Sequence, residues 1–326
     1  MSQADSITEN LPQLTGDHLA IASPTSIAEA TFSIPAIRAL CTAYPTITFT
    51  ILADEDTAPL WLKVPTVQVI QHRSSDSARK IARLLTEKID ASIAWEDGPS
   101  AQAFAKANIL QRIGYPTEKL SKHLTHPIEV VREIGPIEHR INHYLLFVKK
   151  LGAQPFSAEN FTNPPRPAAP PKPIFAIAPG SDYGSAAEWP LERFIEIAQS
   201  IPPEQQLAII PSPDRPSPAK ELAKSLGSSA QLITQTGTEL LDYLANCDTL
   251  LANDGSIPHL AAFLGTPSIV IFGPNEPEWK RPLGRIHKII RTQVPCSSCF
   301  LHKCPLDHRC MNEIPTSQIL PHLNLS

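Results

Sequence analysis

The chain has 326 residues, a length suited to two domains, of which 42% are hydrophobic and 18% charged, so global disorder is excluded. Its formal net charge of −4 gives no indication of a nucleic-acid partner, and no apolar run reaches the roughly 18–20 residues that cross a bilayer. The first 23 residues carry acidic side chains where a secretory leader would carry basic ones, which predicts a cytoplasmic protein.

Short β-branched runs alternate with apolar-periodic helical patterns through the first half of the chain. Strands are predicted at residues 18–23, 47–53, 67–71 and 92–95. Helices are predicted at residues 34–43, 76–88, 100–107 and 139–151. This alternation is typical of a parallel sheet that is covered by helices on both faces.

A proline-rich segment separates this half from the next. Six of the ten residues at 164–173 are proline, which favours extended, semi-rigid geometry and excludes a helix. We therefore predict an N-terminal domain at residues 1–163, a linker at 164–173 and a C-terminal domain at 174–326.

The second half shows the same alternation. Strands are predicted at residues 174–178, 207–211, 232–234, 250–253 and 268–272. Helices are predicted at residues 191–201, 218–226, 238–245 and 257–264. The chain is thus predicted to be a two-domain α/β protein with a cleft, whose ligands bind at the carboxyl ends of the strands.

Two loops that leave a strand and enter a helix are the first candidates for a binding site. The first loop, at residues 177–190, contains Gly180 and Gly184, which allow a tight turn and a close approach to a ligand. Trp189 borders this loop and Trp279 follows a later strand, and for both we expect core packing rather than stacking on a base.

The second loop forms a corner of small residues. Asp254 ends a predicted strand, Gly255 and Ser256 form the corner, and Ser256 is predicted to cap the following helix. The free amides of a helix N-terminus suit an anion such as a diphosphate. Gly-Ser alone would indicate an ordinary turn, but the flanking Asp254 and His259 favour a ligand site.

Several of these pieces together resemble glycosyltransferase family 9, the family of ADP-heptose:lipopolysaccharide heptosyltransferases. The motifs that carry the resemblance are Pro179-Gly-Ser181, Trp189-Pro-Leu-Glu-Arg-Phe194, residues 253–262, Phe272-Gly-Pro274 and, in the first half, residues 34–40, 112–115 and 139–152. The cysteine-rich tail at residues 296–311 is most similar to the heptosyltransferase II branch.

The resemblance implies a GT-B fold, in which two Rossmann-like domains face each other across a cleft, and a reaction that requires no cofactor or divalent metal. The C-terminal domain would bind a nucleotide diphosphate sugar, and the N-terminal domain would bind a lipid A or core-oligosaccharide acceptor at the inner face of the cytoplasmic membrane. Transfer would be an inverting displacement. The implied donor-binding residues are Pro179, Gly180, Ser181, Asp254, Gly255, Ser256, Ile257 and His259.

The chain departs from the family at three places: Ala28-Glu29 stands for the usual Gly-Asp, Ala187-Glu188 for Lys-Arg, and Asp254-Gly255-Ser256 for Asp-Ser-Gly. The resemblance implies a carboxylate base at the start of the first helix, and Glu29 stands where the family usually has Asp. The alternative interpretation is that Glu29 is only a first-turn carboxylate that the helix dipole favours. Where the family usually has Lys-Arg, this chain has Ala187-Glu188, and Glu188 would repel a diphosphate if it pointed inward. The alternative function is therefore a catalytically degenerate member that acts as a nucleotide-binding or scaffold protein.

Two further features have both a functional and a structural interpretation. Asp97 follows a predicted strand and would either hold acceptor hydroxyls or cap the next helix. Four cysteines fall within fifteen residues, which indicates either a structural zinc site or, as the default, reduced structural thiols, because a cytoplasmic protein disfavours disulfides. These cysteines are Cys296, Cys299, Cys304 and Cys310.

Overall fold

The computed structural model describes residues 13–129 and 135–323, so about half of the segment compared above with a secretory leader lies outside the described residues. The chain forms two compact units. The first contains residues 13–25, 32–129 and 141–162. The second contains Ser26–Thr31, Gly135–Arg140 and residues 163–323, so two short segments of the N-terminal half group with the C-terminal half.

The first unit is built on a six-stranded parallel sheet. Its strands are β1 His18–Ala22, β2 Thr48–Asp54, β3 Gln68–His72, β4 Ala91–Ala94, β5 Gln111–Gly114 and β6 His126–Pro127. Its helices are α1 Ile27–Ala43, α2 Ala58–Trp61, α3 Ala78–Ala82, α4 Pro99–Lys106 and α5 Asn142–Lys150. The strand order is β3-β2-β1-β4-β5-β6, and all neighbours run parallel.

The second unit contains a sheet of the same kind. Its strands are β7 Ile174–Ala178, β8 Gln206–Ile209, β9 Gln231–Leu232, β10 Thr249–Asn253, β11 Ser268–Phe272 and β12 Lys288–Arg291. Its helices are α6 Leu191–Ser200, α7 Ser217–Leu226, α8 Gly237–Ala245, α9 Ser256–Leu264, α10 Pro277–Lys280 and α11 Arg309–Asn312. The order is β12-β11-β10-β7-β8-β9, again with parallel neighbours.

Both sheets have the doubly wound order of Rossmann-like folds, which confirms the predicted α/β class. The central strands are apolar throughout most of their length, and every residue of β7, β10 and β11 is buried. Among the described residues, no helix combines the length and the apolar character of a membrane span.

The core of the second unit includes a residue that borders the candidate site. Trp189 is 3% exposed and packs edge-on against Phe194, with ring centroids 5.0 Å apart. Its indole N–H donates to the carbonyl of Ile314 at 3.0 Å, so the polar atom of this buried ring is satisfied. The prediction of core packing for Trp189 is thereby confirmed.

Two helices differ substantially from the predictions in their boundaries, and three short strands were not predicted at all. Helix α1 begins at Ile27 rather than 34 and continues through Pro35, and residues 30–37 within it are all buried. Helix α3 ends at Ala82 rather than 88 and begins where the side chain of Ser77 accepts from the backbone N–H of Lys80. Strands β5, β6 and β12 were not predicted, since they carry polar residues and lack a continuous apolar run.

Candidate functional site

The candidate site of the second unit lies where its strand order reverses. Strands β7 and β10 are neighbours, and the chain continues from β7 to β8 on one side of the sheet and from β10 to β11 on the other. The loops that follow these two strands therefore diverge from a single point, which is where open α/β sheets bind ligands. Both loops singled out in the sequence occupy this position.

Direct hydrogen bonds join the two loops. The hydroxyl of Ser181 donates to the carbonyl of Asp254 at 2.5 Å, and the side-chain amide of Asn253 donates to the carbonyl of Pro179 at 2.6 Å. The backbone N–H of Trp189 donates to the side-chain oxygen of Asn253 at 3.1 Å. The structure thus brings Pro179, Ser181 and Asp254 together as predicted, and it uses their polar groups to connect the loops.

The start of helix α9 corrects one prediction. Gly255, not Ser256, is the capping residue, because the carboxylate of Asp182 accepts from the Ser256 backbone N–H at 2.7 Å. A carboxylate from the other loop thus replaces the predicted serine cap. Gly255 permits this approach, since a Cβ at that position would lie 2.5 Å from the Asp182 oxygen. Asp182 was missed in the sequence because its partner is 74 residues away.

Further along helix α9, two predicted donor residues are buried. Ile257 and His259 are each 2% exposed. Burial lowers the pKa of His259 to about 3, so its imidazole is neutral at physiological pH. His259 therefore contributes a neutral polar group to this site and not a cation.

Asp254 is a buried carboxyl group with a shifted proton affinity. It is 4% exposed, and the side-chain amide of Asn275 donates to its Oδ2 at 2.5 Å. Burial raises the pKa of Asp254 to about 7, although the hydrogen bond from Asn275 acts in the opposite direction. The sequence analysis did not single out Asn275 as a site residue. Its position three residues after the end of β11, a strand predicted from the sequence, could have indicated it.

Glu29 lies in the first turn of α1 and contacts two cationic side chains. Its Oε2 is 2.8 Å from Nε of Arg140, and its Oε1 is 3.1 Å from Nζ of Lys280. The backbone N–H of Arg140 donates to the carbonyl of Trp279 at 2.8 Å, which connects the segment of Arg140 to α10. Glu29 is therefore a first-turn carboxylate that also belongs to a cluster of charged groups.

A cavity of about 500 Å³ adjoins this cluster within the second unit. Its lining includes Tyr183, Asn275, Trp279, Lys280 and Phe300. The rings of Trp279 and Phe300 meet edge-on with centroids 5.6 Å apart, and the Lys280 ammonium lies 4.9 Å from the Trp279 ring centroid. Trp279 therefore lines a cavity instead of packing in the core, contrary to our expectation.

Glu188 does not present an unpaired charge to this site. Its carboxylate forms two contacts with Arg215, at 2.6 Å to Nε and 3.0 Å to Nη2. Ala187 is fully buried. The expected repulsion of a diphosphate by Glu188 is thus offset by a cation from the loop that follows β8, a partner that no local pattern in the sequence identifies.

Asp97 lies in the first unit. Its Oδ1 is 3.7 Å from Nε2 of His123, and both side chains are largely buried. Gly98 occupies the capping position of α4, and no side chain in the described part of the chain caps that helix. The helix-cap interpretation of Asp97 is therefore wrong, because the carboxylate is directed toward the histidine.

The cysteine-rich tail contains free thiols, and across the described residues no three His, Cys, Asp or Glu side chains are arranged to hold a metal ion. The structural zinc site and the reduced structural thiols both stay predictions. Burial and the nearby thiols Cys296, Cys299 and Cys304 raise the pKa of Cys310 to about 11, which keeps it protonated. Two histidines of this tail contact the loop that follows β7: His302 lies against the carbonyl of Tyr183, and His308 lies against the carbonyl of Ala186.

Comparison with known proteins relates the chain to sugar transferases. Residues 149–309 match glycosyltransferase family 9 (heptosyltransferase). Lipooligosaccharide heptosyltransferase 2 of Haemophilus influenzae is 28% identical over 127 residues, and the chain spans only 37% of that relative's length in the match. Lipooligosaccharide heptosyltransferase 2 of Campylobacter jejuni is 21% identical over 320 residues, which cover 92% of this chain and 96% of the relative.

Solved structures are similar over nearly the whole chain. ADP-heptose lps heptosyltransferase II of E. coli matches with a TM-score of 0.77 at 20% identity, covering 94% of this chain and 97% of that chain. E. coli heptosyltransferase WaaC with ADP-2-deoxy-2-fluoro heptose matches with a TM-score of 0.65 at 17% identity, covering 94% and 99%. This chain has two parallel six-stranded sheets with interspersed helices, and this architecture matches the solved structures. The predicted GT-B fold is therefore confirmed.

Proposed function

We propose that this chain, whose residues 149–309 match glycosyltransferase family 9 (heptosyltransferase), transfers a heptose from ADP-heptose to a lipopolysaccharide inner-core acceptor. The observation that carries the proposal is the pair of loops at the reversal point of the second sheet, which follow β7 and β10 and lie inside the matched residues 149–309. A small-residue helix start beside a cavity suits the diphosphate of a nucleotide sugar.

We assign donor binding to the corner between these loops. Gly180, Ser181, Gly255 and Ser256 supply backbone there, and its tight geometry is held by the bond from Ser181 to Asp254. The first amide of α9 is held by Asp182, so a donor phosphate that approaches this amide has to replace that carboxylate. Buried, neutral His259 is an uncharged polar neighbour of this corner.

We assign the role of general base to Glu29. In the proposed step, a Glu29 carboxylate oxygen takes the proton of the acceptor hydroxyl while the acceptor oxygen forms a bond to the anomeric carbon of the heptose. The bond from that carbon to the diphosphate oxygen breaks, its electron pair leaves with ADP, and the configuration inverts. The ion pair with Arg140 holds the carboxylate in a fixed orientation for this transfer.

We assign the acceptor to the N-terminal domain, where Asp97 is the candidate for contact with its hydroxyls. An acceptor built on lipid A would bring the enzyme to the inner face of the cytoplasmic membrane as a peripheral protein. The alternative scaffold function rests on the replacement of the family's Lys-Arg pair by Ala187-Glu188, and the pairing of Glu188 with Arg215 removes only the part of that argument that concerned repulsion.

Thermal unfolding with a panel of nucleotides tests the donor class. ADP, UDP, GDP and ADP-heptose are compared, and a ligand at a hundred times its Kd is expected to add about 2.7 kcal/mol of stability. A selective response to ADP compounds is expected, followed by ADP release when a deacylated inner-core acceptor is added. The Glu29→Gln variant serves as the matched inactive enzyme in the transfer assay. A response to UDP or GDP alone would replace ADP-heptose as donor, and no response would remove the proposed function.

A further inference from the structure

The two donor loops lack a cationic side chain of their own. A nucleotide diphosphate sugar carries two negative charges, and the nucleotide that leaves gains another, so a cation near the diphosphate stabilises the transition state. Residues 179–189 and 253–260 contain neither Lys nor Arg. The arginine of the loop after β8, Arg215, is bound by both oxygens of Glu188. The required charge therefore has to come from another element.

Lys280 lies at the end of α10, in the connection that follows β11, the neighbour of β10 in the sheet. It supplies a cation to the lining of the 500 Å³ cavity, where it lies with Tyr183 and Asn275. Its side chain is 27% exposed, so a ligand can reach the ammonium group. The charge of Lys280 also favours the ionised form of buried Asp254, which places it within electrostatic range of the corner between the loops.

Among the buried polar atoms that lack a hydrogen-bond partner in the described part of the chain, two lie near the corner between the loops. They are Oδ1 of Asn275, in the cavity lining, and Oγ of Ser256, at the start of α9. Asn275 is 3% exposed and Ser256 is 2% exposed. A buried polar atom without a partner destabilises the protein, and a ligand that forms a hydrogen bond to that atom removes the penalty. The loops at the carboxyl ends of β10 and β11 thus contain both the Lys280 cation and two polar atoms that can still form hydrogen bonds.

On the basis of the proposed function, we propose that Lys280 binds the diphosphate of the donor and stabilises the negative charge of the leaving nucleotide. In the structure, the Lys280 ammonium contacts Oε1 of Glu29 at 3.1 Å. The diphosphate and Glu29 therefore compete for one cation. Donor binding draws Lys280 from the carboxylate, and Glu29 keeps Arg140 as its partner while it accepts the acceptor proton.

Calorimetric titration with ADP and AMP tests the assignment. Lys280→Met is expected to weaken ADP binding by about tenfold or more, equivalent to about 1.4 kcal/mol, and to change AMP binding much less, because AMP lacks the second phosphate. Lys280→Arg keeps the charge and is expected to retain most of the affinity. Lys224→Met, which removes an exposed lysine on α7, is the matched control and should bind ADP as the wild type does.

Glu29→Gln provides an independent arm that does not alter Lys280. It is expected to abolish turnover yet tighten ADP binding several-fold, because the competing carboxylate is gone, and the tightening should vanish in the Glu29→Gln/Lys280→Met double variant. Unchanged ADP binding in Lys280→Met, an equal loss for ADP and AMP, or no tightening in Glu29→Gln would overturn the role of Lys280. A wild-type protein that binds no ADP would instead overturn the proposed function.

Discussion

The buried carboxyl group of Asp254 should make the stability of the protein depend on pH. Its pKa is raised from 3.8 to about 7, chiefly by burial, so the folded state binds the proton more tightly than the unfolded chain does. The resulting stabilisation is fully present below pH 3.8 and is lost as the pH rises through about 7. Since a tenfold change in proton affinity is equivalent to about 1.36 kcal/mol, the rise in the pKa of Asp254 corresponds to roughly 4 kcal/mol.

His259 contributes with the opposite sign. Its pKa is lowered from 6.5 to about 3 by burial, so its effect on stability is most favourable above pH 6.5 and becomes unfavourable as the pH falls toward about 3. The two effects oppose each other between about pH 4 and pH 6.5, and the wild-type curve alone would not separate them. The difference between the wild type and a variant that lacks only the Asp254 charge does separate them.

Asp254→Asn is the appropriate change, because an asparagine oxygen can still accept from the amide of Asn275. The free energy of unfolding is measured in urea at several pH values from about 5 to 8 at constant ionic strength. The stability of the variant relative to the wild type is expected to rise by about 3 kcal/mol across this range. Asp214→Asn, at an exposed position, is the control. Parallel curves for the wild type and Asp254→Asn would refute the reasoning, since they would mean that Asp254 is ionised throughout.

Three further predictions concern the two carboxylates that contact cations. Glu29→Gln should lower kcat of the transfer reaction by at least about 10²-fold, the usual range for loss of a general base, while Glu29→Asp retains part of the activity in the same ADP-release assay. Arg215→Met should lower the free energy of unfolding by about 1 kcal/mol, because it leaves the Glu188 carboxylate without its partner. Glu188→Arg should be more destabilising than Glu188→Gln in urea unfolding, since it places a second cation beside Arg215; equal stabilities would contradict the pairing.

The scaffold of the site could be predicted from the sequence because the scaffold depends on local patterns. Near-continuous apolar runs marked β7, β10 and β11, and turn residues marked the loops that follow them. Strand β12 was missed because half of its residues are basic, so that its place at the sheet edge rests on pairing with β11 and not on an apolar run. Pairing with a neighbour is not visible in a single stretch of sequence.

The charged contacts of the site could not be predicted, because each joins residues far apart in the chain. Glu29 and Arg140 are separated by 111 positions, and Asp182 and Ser256 by 74. No periodicity or turn signal relates such residues, since only the fold brings them together. The family resemblance therefore implied that Glu29 is a candidate base, but nothing in the sequence indicated that Lys280 and Arg140 would contact it.

Counting charges along the donor loops leads to the wrong electrostatic picture of the site. The loops contain Asp182, Glu188 and Asp254 and no Lys or Arg, which suggests a surface that repels phosphate. In the folded protein the Asp182 carboxylate accepts from a backbone amide of helix α9, and the Glu188 carboxylate is bound by a guanidinium group. Burial raises the pKa of Asp254 to about 7. Since Lys280 adds a cation from outside both loops, the electrostatic field at the proposed donor site is set by these partners and not by the composition of the loops.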